Sequence, residues 1–144
     1  MAETLGSLCD KLTIVKLKQW HSDDELKLES LNLQERQLTN EIDDFLDKAI
    51  TGKIPQSMIT FAANKVYEKN GNPINEVVGT IGFVFSELAS VNCRIWHEQE
   101  KVYFFDKVAV EDKDFVIKQL AILNLERNYC IENIDKTLSN ILYK

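Results

Sequence analysis

From Ile74 to Ile95 an apolar side chain returns every three or four residues, at Ile74, Val77, Ile81, Val84, Leu88, Val91 and Ile95. A helix places that spacing on one face, and a near-heptad run of this length needs another helix to cover it. The same period fills most of the chain. Leu5, Leu8, Leu12 and Val15 mark a helix over residues 5–25, and after a break near residues 26–29 a second stripe of Leu31, Leu38, Ile42, Phe45 and Ala49 runs up to Gly52. Residues 57–69, following Pro55, read as a shorter helix ended by Asn70-Gly71-Asn72-Pro73. The long run extends to about Phe105. A linker at 107–111 then precedes a last helix along Val116, Leu120, Leu123, Cys130, Ile134, Leu138 and Ile141, with Asp112 or Asp114 as its cap. Only 5 Gly and 2 Pro interrupt 144 residues. The expectation is an all-α helical bundle of about five helices in one domain spanning residues 1–144.

Composition narrows the function classes. Residues 1–72 carry 9 basic and 12 acidic groups and residues 73–144 carry 8 and 11, so neither half is basic enough to neutralise phosphates, and no nucleic-acid partner is expected. The most apolar stretch, residues 77–91, is broken by Thr80, Gly82, Ser86 and Glu87, so no membrane span is expected. Cys9, Cys93 and Cys130 form no Cys-x-x-Cys pair and are odd in number. Together with an opening Met1-Ala2-Glu3-Thr4-Leu5 that lacks a basic leader, this points to the reducing cytoplasm. All three thiols read as small core fillers.

The chain also repeats itself. With Trp20 placed on Trp96, Gly6 falls on Gly82, Leu12 on Leu88, Val15 on Val91 and His21 on His97, all 76 residues apart. Further on, Leu31-Asn32-Leu33 matches Leu123-Asn124-Leu125 and Ile42-Asp43 matches Ile134-Asp135, now 92 apart, so the second copy has a connection 16 residues longer. Two pseudo-twofold-related helical hairpins follow from this, with the indoles at equivalent positions.

Chemistry-bearing residues attach to the same repeat. His21 with Asp24, and His97 with Glu100, are each three apart on a helix, so two symmetric fragments offer four ligands for a metal, or two histidines for acid-base work. Glu35 and Arg127 interrupt the apolar stripes at equivalent positions and are expected to form a partly buried pair, or to meet an anionic ligand as part of a site with the two histidines. The clustered carboxylates at 23–25 and 41–47 offer a weaker magnesium-binding reading. No cofactor is readable from these patterns.

The segment Leu88-Ala89-Ser90-Val91-Asn92-Cys93-Arg94-Ile95-Trp96-His97-Glu98-Gln99-Glu100, followed by Asn124, Arg127-Asn128 and Ile131-Glu132-Asn133-Ile134-Asp135, resembles an uncharacterised bacterial helical family, the domain of unknown function numbered 4254. That family shows an Asn-x-x-Leu-Trp-His-x-Glu-Asp segment and a later Asn-x-x-Arg-Asn-x-x-Ile-Glu-x-Ile-Asp segment. Ile95, Gln99 and Glu100 depart from it. The resemblance implies a helical bundle, supplies no activity, and hints at an accessory role near bacterial surface-glycan synthesis. The expected function is thus an accessory or protein-interaction bundle, homodimeric or with a protein partner, since Ile14, Leu17 and residues 102–105 offer more apolar surface than one stripe needs. The alternative is a metal- or histidine-dependent enzyme acting on a phosphate-containing small molecule.

Overall fold

The computed structural model describes residues 2–61 and 79–144. Four α-helices account for most of them: α1 (Leu5–His21), α2 (Glu25–Ile50), α3 (Ile81–Tyr103) and α4 (Val110–Leu142). Short 3-10 turns at Gln56–Met58 and Phe105–Lys107 follow α2 and α3. Tight turns join α1 to α2 and α3 to α4, giving two helical hairpins, and α1 packs on each of the other three helices. Of the expected fifth helix at 57–69, residues 56–58 form the 3-10 turn and 62–69 lie outside the described residues, as do the expected residues 74–78 of the long helix.

Local chemistry sets the helix ends. Thr4 and Ser7 form a reciprocal capping box at the start of α1, and Thr80 accepts the Phe83 N–H at the start of α3. The break between α1 and α2 comes earlier than the apolar pattern indicated, at 22–24, because Asp24 caps α2 by accepting the Leu26 and Lys27 N–H groups. The last helix also starts earlier, at Val110. Ala109 occupies its N-cap without a side-chain hydrogen bond, so neither Asp112 nor Asp114 is the cap. Helix boundaries follow the sequence repeat: Leu5 and Ile81 begin their helices 76 residues apart, and Ile50 and Leu142 end theirs 92 apart.

The core gathers Leu5 and Cys9 of α1, Ala49 of α2, Ile59, the stripe Val84, Leu88 and Val91 of α3, and Leu123, Cys130, Ile131, Ile134 and Leu138 of α4. Ile42, Phe45 and Leu46 of α2 lean on it from the side. Cys9 and Cys130 fill core space as expected, whereas Cys93 is exposed on α3. The central α3 stripe was readable because a fully buried face leaves no choice of residue class.

Residues Thr4 to Asp10 are all buried, so the first two turns of α1 are enclosed on every side. Gly6 makes this enclosure feasible: a Cβ there would lie 2.3 Å from the Ile131 carbonyl oxygen on α4. Its repeat partner, Gly82, has nothing within 4 Å of the same position. Gly6→Ala is therefore expected to destabilise by at least ~1–3 kcal/mol through backbone overlap. Gly82→Ala should be neutral or stabilise by up to about 1 kcal/mol through helix propensity. Urea midpoints of the two variants compare these directly, and equal shifts would contradict the close approach.

Candidate functional site

A helix end enclosed in this way must satisfy its N–H groups without water. Thr4 and Ser7 handle part of this: the Thr4 N–H donates to Ser7 Oγ at 2.8 Å, and Ser7 Oγ donates to Glu3 Oε2 at 2.9 Å. The Gly6 N–H donates to Asp135 Oδ1 on α4 at 2.7 Å. A carboxylate also complements the positive end of the helix dipole. Burial nevertheless pushes the Asp135 carboxyl up to about 6, against the lowering effect of the Thr4 and Gly6 hydrogen bonds and with a smaller upward push from Glu132. Its Oδ2 has no hydrogen-bond partner among the described residues.

One turn further along α1, Asp10 is the hub of a second buried network. Arg127 Nε and Nη2 donate to its two oxygens at 2.8 and 2.5 Å, a bidentate ion pair. Asn92 Nδ2 donates to Asp10 Oδ1 at 2.9 Å and lies 2.7 Å from Thr13 Oγ1. Asn92, Arg127 and Asp135 therefore all direct their side chains at α1. Asn124 and Asn128 bond back to carbonyls of their own helix, Leu120 and Asn124.

The expected Glu35 to Arg127 pair does not form. Glu35 sits on the outer side of the first hairpin, where Lys16 and Gln19 donate to it, each at 2.8 Å, and hold its carboxyl below the usual range. Arg127 goes instead to Asp10, which sequence reasoning passed over. Asp10 lies off the α1 stripe, and only the enclosure of this short helix buries it.

The histidine fragments are also dispersed. His21 ends α1, where its Nδ1 donates to the Leu17 carbonyl at 2.8 Å and its ring stacks on Trp96 with centroids 4.6 Å apart. Asp24 is occupied as the α2 cap. His97 lies over a separate shallow cleft of about 310 Å³ with Glu100, Lys101, Phe104 and Lys107, while Glu100 accepts the Trp96 indole N–H at 3.2 Å. Among the described residues, no group of three or more His, Cys, Asp or Glu side chains is placed to hold a metal ion. The indoles are not equivalent: Trp96 is half-buried under His21, whereas Trp20 is 86% exposed.

Two surfaces remain open. A groove beside α1 and α2 consists of clefts of about 410 and 400 Å³ that share Lys18 and Gln34 and reach Arg127 at one end and Trp96 at the other. The second is the far tip of the α3–α4 hairpin. The ten residues from His21 to Ser30 correspond to the 26 from His97 to Ile122, so the 16 extra residues build this tip. From Trp96, level with the end of α1, α3 runs seven residues further, about 10 Å.

No family model, curated protein or solved structure matches the chain. Among the described residues no helix is long and apolar enough to cross a membrane.

Both buried networks make measurable demands. Arg127→Met should cost about 3 kcal/mol by stranding the Asp10 charge, and adding Asp10→Leu should recover part of that loss, read as a double-mutant cycle in urea. For Asp135, a folded pKa raised from 3.8 to about 6 means the native state binds the extra proton. Its contribution to stability is complete below pH 3.8 and falls as pH rises to 6. Unfolding from pH 4 to 7 should show this decline in the unaltered chain relative to Asp135→Asn, which keeps an acceptor for Gly6. Identical pH profiles for the two would refute it.

Proposed function

We propose that this chain is a protein-interaction bundle with an accessory role, and that it self-associates through the tip of the α3–α4 hairpin. The observation that carries this reading is the exposure of Tyr103 (75%), Val110 (80%) and Phe115 (63%), with Phe104 also exposed, on the segment where the second hairpin outgrows the first. Apolar side chains grouped at a projecting turn bury nothing in the single chain, and a second copy of the same tip would cover them. Lys107 lies 5.2 Å over the Phe104 ring and Lys113 lies 4.9 Å over Phe105, a cationic fringe around the apolar patch. Three free cysteines accord with a cytoplasmic setting. The link to bacterial surface-glycan synthesis rests on the family likeness alone.

Histidine-dependent chemistry on a phosphate-containing molecule is the second reading, and one observation favours it: His97 shares its cleft with Lys101 and Lys107. His21 lines a different cleft, so such a site would use His97 without its repeat partner.

Sedimentation should give a mass near twice 16.6 kDa for the unaltered chain. Tyr103→Glu and Phe115→Glu, both surface changes, should return it to the single-chain mass. A species that stays monomeric as concentration rises removes the self-association.

A further inference from the structure

A bundle of two hairpins ordinarily buries each helix against two neighbours, yet among the described residues α2 packs along α1 and makes only sparse contact with α3 and α4. Of its 26 residues, only Leu31 and Ala49 are buried. The second hairpin therefore sits on one side of α1 and α2 diverges on the other, and the seam between them is the groove described above.

The groove has a recognisable chemistry. Ile14, Leu38 and Trp96 are half-buried along its floor, leaving apolar surface for a ligand to cover. Its walls carry Lys11, Lys18, Lys27 and Arg127 against two carboxylates, Asp10 and Glu41, and Asp10 is already consumed by Arg127. A cation-rich strip is conspicuous on a chain of net charge −6. From Lys11 to Ser22 the groove follows α1 for about 16 Å, three helical turns.

We infer that this seam is a docking groove for an acidic amphipathic helix of another protein, which lays its apolar face on Ile14, Leu38 and Trp96 and its carboxylates against Lys18 and Lys27. Apolar anchors at i, i+3, i+4 and i+7 match three turns of groove, and flanking acids match the lysine walls. A free phosphate would use the lysines but leave the apolar floor uncovered. The inference rests on the interaction-module reading but on a different surface from the tip, so the two can fail separately.

The test uses the full chain with Trp20→Phe, which leaves Trp96 as the one indole and makes its fluorescence a reporter inside the groove. The probes are a designed peptide of about 18 residues with Leu at i, i+3, i+4 and i+7 and Glu on the flanks, the same peptide with Lys for Glu, and inorganic triphosphate. The Glu peptide should bind and shift Trp96 emission, the Lys peptide should not, and Lys18→Glu with Lys27→Glu should weaken binding at least tenfold while helical content stays the same. Tyr103→Glu should leave the titration unchanged, which separates this site from the tip. Equal binding of both peptides, no binding of the Glu peptide, or indifference to the lysine changes overturns the inference. So does triphosphate that binds as well as the Glu peptide, since the groove would then be a small-anion site.

Discussion

The fold depends on burying the first two turns of α1. A helix N-terminus exposes unpaired N–H groups, and enclosing one is feasible only where the protein itself supplies acceptors. Here they come from two sources: a local Thr4–Ser7 box and a carboxylate, Asp135, delivered by the opposite end of the chain. Gly6 removes the side chain that would hold α4 away, and Asp10 then draws Arg127 and Asn92 onto the next turn. Each step presupposes the one before it. The ion pair offers little net stability of its own, because desolvation offsets much of its attraction, but any other register would strand its charges. It therefore fixes how the hairpins meet.

Helical class, hairpin pairing and the α3 stripe were legible in the sequence because they depend on period and breaker residues, which act locally. The helix starts at Leu5 and Ile81 even reproduced the 76-residue offset. What escaped notice was the polar interior. Asp10 looks like any surface acid when its helix is read alone, and its burial arises only once three helices surround it. The Glu35 to Arg127 pairing failed for a related reason: sequence equivalence predicted a contact across an axis, but Lys16 and Gln19 lay closer on the neighbouring helix. Arg127 and Asp135 were marked by the family likeness, though nothing in their spacing said that both would serve α1.

Matched hairpins have met different fates. The first is short and gives its interior-facing groups to the core and to the clasp. The second extends beyond it and places Tyr103, Val110 and Phe115 in solvent. Equivalent residues diverge accordingly: Trp96 lies under His21 while Trp20 stands free, and Gly6 is pressed against α4 while Gly82 faces open space. Symmetry of sequence survives in where helices start and stop rather than in what their side chains touch.

The three thiols differ sharply in their surroundings. Burial pushes Cys9 up to about 12 and Cys130 up to about 11, so both remain protonated and inert, while Cys93 stands exposed on α3, one residue from the Asn92 that grips α1. A maleimide dye would therefore attach at a single native position with no engineering, and its emission would follow the moment when the two halves of the molecule part.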